Sequence, residues 1–181
     1  SVLRALVAFM YSNNDPHLGF YGAMGYDLVF QFEPIELRHA RPKKYNDLHL
    51  FVPDQLIVID HRKEQTLRYD YEFKYSGIET LGLKRETTHR EVVRGTLSEV
   101  RSDHVQGEYA DKVRKVISGT QRGAYFEVVP SQVLSTGYDG TPSILFENIR
   151  ATNPSPYEFL INLGDEQLVG ASPEMFVRME N

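Results

Sequence analysis

Two proline-containing corners near the C-terminal end constrain the fold of this chain more than any other feature. The first, residues 153–157, reads Asn-Pro-Ser-Pro-Tyr, and the second, residues 170–174, reads Gly-Ala-Ser-Pro-Glu. Proline fixes the backbone φ angle and removes a hydrogen-bond donor, so each corner has a rigid shape. The residues between them predict a hairpin, with strands over 157–163 and 167–169, and a further strand after Pro173.

The chain has 181 residues, of which 41% are hydrophobic and 25% charged, as is typical of a globular domain. Its net charge of -5 argues against a nucleic-acid partner, because a protein that tracks phosphates needs a basic surface. No apolar run reaches the roughly 18 residues that a membrane span requires. The absence of cysteine excludes disulfides and thiolate metal sites and fits a cytoplasmic location.

Apolar spacing predicts that residues 1–10 form the tail of an amphipathic helix rather than a signal peptide. Glycines among aromatic and β-branched residues in 19–32 indicate a bent strand. Three further strands are expected over 48–52, 55–60 and 66–73, as an antiparallel meander, and alternation in the last of them predicts one buried face. We expect that both ends of the chain have been cut from a longer protein.

The second half of the chain mixes helices with strands. Residues 74–106 are charged and without a steady period, which indicates a long polar connection. A helix is predicted from Tyr109 to its end at Gly119 and Gly123, then a strand over 125–133 and a helix opening at 141–142. The predicted class is α+β, with antiparallel sheets and outer helices. We divide it into an N-terminal sheet region (1–73), the connection (74–106) and a C-terminal region (107–181).

The two corners are also where chemistry is most plausible from the residues alone. Pro156 and Tyr157 are suited to line a wall for a flat aromatic ligand, and a carboxylate at Glu174 is suited to accept or deliver a proton. The competing interpretation is plain: two turns, a core tyrosine and a surface glutamate. The six histidines show no metal-binding spacing, and no nucleophile elbow or phosphate-cradling glycine loop occurs.

Several motifs together resemble a known family. They lie at residues 22–28, 51–54, 107–109, 126–132, 153–157 and 170–174. These stretches resemble component I of anthranilate synthase, in the chorismate-utilising enzyme family. The sequences of residues 22–28 and 51–54 are most similar to the form in which component I is fused to its glutamine amidotransferase. The resemblance covers nearly the whole chain.

The resemblance implies a fold of two antiparallel sheets packed face to face with helices outside. It implies an enzyme that aminates chorismate with glutamine-derived ammonia and releases pyruvate, giving anthranilate for tryptophan biosynthesis, with Mg2+ on the substrate carboxylate. It implies that Glu174 is the catalytic glutamate, and that Pro156, Tyr157 and Glu158 line the site for tryptophan, the feedback inhibitor. The expected partners are chorismate, tryptophan and a glutamine amidotransferase component or domain, and a homo-oligomer is expected.

The sequence departs from the family pattern at Ala124, Val133 and Glu158, where relatives usually carry Asp, Arg and Met. The family's later motifs, including its catalytic histidine and its Mg2+-binding glutamates, do not occur in these residues. We therefore expect no metal ligands in this chain, no turnover by it alone and no tight tryptophan binding. Alternatives within the family are aminodeoxychorismate, aminodeoxyisochorismate, isochorismate or salicylate synthesis, and an alternative of another class is a tryptophan-sensing module without chemistry.

Overall fold

The computed structural model describes residues 2–11, 15–37, 46–85, 91–175 and 177–178. The helices are α1 (Val2–Met10), α2 (Glu108–Gln121) and α3 (Pro142–Thr152), together with a 3-10 helix at Tyr26–Gln31. The strands are β1 (Tyr21–Met24), β2 (Leu48–Phe51), β3 (Gln55–Asp60), β4 (Gln65–Asp70), β5 (Lys74–Tyr75), β6 (Ile78–Glu79), β7 (Arg101–Ser102), β8 (Leu134–Ser135), β9 (Tyr157–Asn162) and β10 (Gln167–Ser172). The predicted α+β class is confirmed.

The chain divides into two compact units. One contains residues 1–88 and 161–166, and the other contains residues 89–160 and 167–181. The division of the sequence into 1–73, 74–106 and 107–181 remains a prediction, and residues 86–90 of that connection lie outside the described part of the chain. None of the described helices is long and apolar enough to cross a membrane.

The first unit is built from antiparallel strand pairs. β3 and β4 form a hairpin in register from Gln55 opposite Asp70 to Asp60 opposite Gln65. β2 pairs with β1, and β3 pairs with β4 in a separate sheet, so the predicted continuous meander through β2, β3 and β4 is wrong. Gly22 lies in this first pair with a φ of 148°, and a Cβ there would overlap the carbonyl oxygen of His49. Glycine at this position therefore allows the two backbones to approach closely.

The strand predicted over 19–32 is correct only in its first half. The Gly25 N–H donates to the Asp47 carbonyl at 2.9 Å, and the Gly25 carbonyl accepts from the Leu28 N–H at 3.0 Å. The second bond begins a turn, so the chain leaves the sheet and continues as the 3-10 helix. Local backbone bonding has overridden the strand preference of the residues that follow.

Alternating aromatic residues of β4 and its continuation form one partly buried face, as predicted. Consecutive rings of Tyr69, Tyr71 and Phe73 lie 6.3 Å apart, whereas Leu67 is 47% exposed. The Tyr71 hydroxyl donates to the Asp15 carboxylate at 2.8 Å. Burial and this bond raise the pKa of Tyr71 to about 12. Burial alone would raise the pKa of Asp15, but its hydrogen bonds outweigh burial and hold that pKa below its usual value.

A two-stranded ribbon organises the second unit. Residues 93–103 run antiparallel to residues 133–141, through the β7–β8 pair, the bridge from Leu97 to Tyr138 and a bond from the Thr141 N–H to the Val93 carbonyl. The strand predicted over 125–133 is therefore wrong, because the pairing begins only where the prediction ended. Pro130 cannot donate within a ladder, and the Val133 N–H donates to a carboxylate instead.

The predicted helices and hairpin of the second half are confirmed. α2 is followed by Gly123 in the left-handed conformation, at a φ of 74°, as expected just past a helix end. Gly119 lies inside the helix, where a Cβ would overlap the ring of Tyr125. α3 begins after Thr141 with proline at its first turn, and it packs against β10. Residues 174–175 and 177–178 show no strand after Pro173, and Phe176 lies outside the described residues.

Large apolar side chains are widely exposed. Within the described ranges, Leu163 is the buried hydrophobic residue, at 7% exposure, while Phe126 is fully exposed and Phe9 is 74% exposed. The two units therefore carry apolar faces that their own residues leave uncovered.

Candidate functional site

The first corner is held between the end of α3 and the start of β9. The Asn153 N–H donates to the Ile149 carbonyl at 2.8 Å, which closes the helix. One oxygen of the Glu158 carboxylate accepts from the Ser155 N–H at 3.1 Å, and the other accepts from Arg150 Nε at 2.8 Å. Glu158 thus ties the corner to the last turn of α3.

The three residues predicted to line the tryptophan site do not all have their side chains on the same face of the structure. Successive side chains of a strand point to opposite faces, so Tyr157 and Glu158 lie on opposite faces of β9. Tyr157 is 38% exposed, Pro156 is exposed, and the Glu158 side chain keeps only 17% of its area accessible. A ligand lying on the Tyr157 face would therefore meet that ring, while the Glu158 carboxylate lies behind it.

The second corner is held by a hydroxyl group. Ser172 Oγ donates to the Glu174 carbonyl at 3.0 Å and lies 3.2 Å from the Glu174 N–H, so the serine closes a short turn across Pro173. Glu174 itself is exposed. Upstream, a Cβ at Gly170 would overlap the ring of Phe159 on the paired strand. The absence of a side chain at Gly170 therefore leaves room for that ring within the hairpin.

The two corners lie next to each other. The Tyr157 hydroxyl is 3.7 Å from Met175 Sδ, which joins the first corner to the residue after Glu174. The two proline corners thus bring an aromatic ring and an acidic residue into one neighbourhood through the β9–β10 hairpin. The roles predicted for Pro156, Tyr157, Glu158 and Glu174 remain predictions.

The third motif, at residues 107–109, starts α2 within a charged cluster. Glu108 accepts from Lys112 Nζ at 3.0 Å and from the Val105 N–H at 3.2 Å. The Lys112 ammonium and that N–H hold the pKa of Glu108 below its usual value. The Tyr109 hydroxyl donates to the Pro130 carbonyl at 3.2 Å, which fixes the loop after the helix against its start.

A histidine that the sequence did not single out joins this cluster. The His104 side chain is 8% exposed, its Nδ1 bonds to Asp103, and its Nε2 lies 2.9 Å from Lys112 Nζ. An ammonium can only donate, so Nε2 accepts and Nδ1 carries the proton shared with Asp103. The bond from His104, with one from the Val133 N–H, lowers the pKa of Asp103. The adjacent acid–histidine pair before a helix was the available signal.

Within residues 2–11, 15–37, 46–85, 91–175 and 177–178, no group of three or more histidine or carboxylate side chains could hold a metal ion. Mg2+ prefers several oxygen ligands in octahedral geometry. The described residues therefore offer no cage of several protein ligands for Mg2+, which proteins commonly hold by one or two carboxylates together with water and substrate.

The chain matches the family model described as chorismate binding enzyme over residues 3–181, so it belongs to the chorismate-binding enzyme family. It is 42% identical over 180 residues to an anthranilate synthase of Azospirillum brasilense, covering 99% of this chain and 25% of that protein. It is also 29% identical over 171 residues to aminodeoxychorismate synthase component 1 of Salmonella typhimurium, covering 92% of this chain and 37% of that protein.

The fold is similar to a solved structure from the same family. The crystal structure of anthranilate synthase component I from Streptococcus pneumoniae TIGR4 superposes with a TM-score of 0.67 at 24% sequence identity. The match covers 96% of this chain and 44% of that chain. The chain thus spans between a quarter and a half of the length of these relatives.

Proposed function

We propose that this chain is part of an anthranilate synthase, which converts chorismate and glutamine-derived ammonia into anthranilate and pyruvate. The observation that carries the proposal is the 42% identity to an anthranilate synthase over 180 residues, which include both proline corners. Membership of the family supports chorismate as the substrate, and the identity to an anthranilate synthase supports anthranilate as the product. Because the chain spans only a quarter of that relative, the activity belongs to the complete protein.

The proposed reaction needs proton transfer at two points. Ammonia forms a C–N bond to the ring while the ring hydroxyl leaves as water, and the enolpyruvyl group then leaves as pyruvate while a ring proton is lost. Glu174 is proposed to take or give a proton in this sequence, because an exposed carboxylate on a rigid corner can reach a substrate with little reorganisation. Mg2+, bound outside the described residues, would neutralise the substrate carboxylate.

Tryptophan is proposed to bind at the first corner. Pro154 and Pro156 have no backbone N–H, so the corner presents mainly carbonyl oxygens, which can accept hydrogen bonds from a ligand ammonium. Pro156 and Tyr157 offer a flat wall for an indole ring. Feedback inhibition would then act through the contact between Tyr157 and Met175, beside Glu174.

The uncovered apolar faces support the proposal that the complete protein supplies further structure. Exposed side chains such as Phe126 and Phe9 are typical of surfaces that another segment or subunit covers. We therefore propose that this chain alone turns over no chorismate, that the complete protein works with a glutamine amidotransferase, and that it is a homo-oligomer.

The test is a product assay on the full-length gene product that contains these residues. Chorismate, glutamine and Mg2+ should yield fluorescent anthranilate and pyruvate in equal amounts, with ammonia able to replace glutamine. Formation of an aminated product without pyruvate would instead indicate aminodeoxychorismate or aminodeoxyisochorismate synthesis, and the ring position of the amino group would distinguish them; the second relative favours the former. Absence of turnover, with a melting temperature raised by tryptophan alone, would identify a sensing module.

A second assay addresses the chain by itself. The 181-residue chain, given the same substrates and free ammonia, should form no anthranilate. Measurable anthranilate from this chain would contradict the proposal that the remaining segments carry essential groups.

A further inference from the structure

We propose that Glu158 is a positioning residue which, together with Arg150, sets how tightly the first corner holds a planar amino-acid ligand. The inference rests on the proposed function of that corner and concerns its regulation. Glu158 acts from behind the ligand wall and holds the wall in place.

The backbone of the corner explains why one carboxylate has this influence. Residues 154–156 contain two prolines, so the Ser155 N–H is their one backbone donor. That N–H donates to Glu158 at 3.1 Å. The bond therefore fixes the orientation of the corner while leaving the carbonyl oxygens of the prolines for a ligand.

Arg150 anchors the same carboxylate to the helix. Its Nε donates to the second Glu158 oxygen at 2.8 Å, and its guanidinium lies 5.6 Å from the centre of the Phe146 ring in α3. The Glu158 side chain is 17% exposed and Arg150 is 58% exposed, so the acidic end of the pair is shielded while the basic end meets solvent. The corner, the strand and the helix are thereby joined through one side chain.

Direct recognition of a ligand ammonium by Glu158 is the competing role. Both carboxylate oxygens already accept charged or backbone donors, and the side chain lies on the face of β9 opposite to Tyr157. A ligand stacked on Tyr157 is therefore not in front of this carboxylate, which favours positioning over contact.

A double-mutant cycle on the full-length protein separates the two roles. L-tryptophan affinity is measured by calorimetry for Glu158→Ala, Arg150→Ala and the double variant. Positioning predicts that each single change raises Kd about tenfold, and that the double change raises it little further, because the residues act as one unit. Arg114→Ala, which removes an exposed arginine of α2, is the matched control and should leave Kd unchanged.

Other outcomes overturn the proposal. If Glu158→Ala weakens tryptophan binding while Arg150→Ala does not, the two residues are not one positioning unit and the proposal fails. If neither single change alters Kd, the pair does not control the corner. Independent effects that multiply in the double variant would likewise contradict a single positioning unit.

A readout without ligand distinguishes failure of this inference from failure of the proposed function. Hydrogen exchange of the Ser155 amide should accelerate in Glu158→Ala, and Glu158→Gln should restore part of its protection because the amide oxygen still accepts that N–H. Failure of the wild-type protein to bind tryptophan would refute the proposed effector site. The exchange rate of the Ser155 amide would still test whether Glu158 positions the corner. Unchanged Ser155 exchange in Glu158→Ala would refute the positioning itself.

Discussion

The two proline corners have similar sequences but are held in different ways. The first is fixed by a shielded carboxylate that joins Ser155 to Arg150, whereas the second is fixed by the Ser172 hydroxyl across Pro173. Charge-assisted hydrogen bonds are roughly twice as strong as neutral ones. The first corner is therefore the firmer of the two, although both contain proline.

The roles that we propose for the two corners match this difference. A firm corner suits recognition by shape, because a preformed wall loses little entropy when a ligand binds. A corner closed by a hydroxyl group and carrying an exposed acid suits proton transfer, because the Glu174 carboxylate can reach a reacting partner with little reorganisation. Changes at the second corner should thus affect chemistry, and changes at the first should affect ligand affinity.

The largest expected effect is a loss of turnover on changing the second corner. Replacing Glu174 with glutamine in the full-length protein removes the titrating group and should lower turnover about 100-fold or more. Glu147→Gln, which changes an exposed glutamate of α3, is the matched control and should retain turnover. Undiminished anthranilate formation by Glu174→Gln would remove the acid–base role from the second corner.

A second change tests whether the hairpin that joins the corners is tightly packed. Gly170→Ala should destabilise the protein by about 1–3 kcal/mol, because its methyl group would overlap the Phe159 ring. Gly19→Ala is the control, since a Cβ there meets no atom within 4 Å. Urea unfolding should show the difference, and equal midpoints for the two variants would contradict the close approach.

Local patterns in the sequence were sufficient where neighbouring residues decide the structure. Proline after Thr141 predicted the start of α3, Gly123 predicted the end of α2, and the period of two predicted the strand that became β4. The class and the hairpin follow from such patterns, whereas the family was identified from the resemblance of whole motifs. Their physical basis is short-range: φ restriction, helix capping and side-chain alternation.

Pairing partners and side-chain directions could not be predicted in the same way. The 93–103 strand of the ribbon pairs with residues about 40 positions away. The strand over 125–133 was wrongly predicted because no local pattern specifies that distant partner. The bond from Arg150 to Glu158 likewise depends on how α3 meets β9. The candidate positions followed from motifs, but the anchoring of the corner did not.

A smaller effect tests the anchor of the second corner. Ser172→Ala removes the hydroxyl that bonds to the Glu174 backbone and should cost about 0.5–1.5 kcal/mol of stability. Turnover should fall less than in Glu174→Gln, since the carboxylate remains. A loss of turnover equal to that of Glu174→Gln would mean that the hydroxyl itself takes part in the chemistry.

The smallest effect distinguishes charged anchors from hydroxyl anchors by pH. The pKa of Glu108 is lowered in the folded chain, so its stabilising contribution is present above the unfolded value, about 4.3, and is lost as pH falls through the folded pKa. The stability difference between wild type and Glu108→Gln should therefore shrink in acid. The Ser172→Ala difference should stay constant over the same range, and a parallel decline would contradict the distinction.

The separation of the two corners is tested most directly by the tryptophan affinity of the full-length Glu174→Gln variant. The account predicts a Kd within about twofold of the wild-type value, measured on the same sample whose turnover has been lost. A Kd raised tenfold or more would contradict it, because Glu174 would then belong to the wall that holds tryptophan.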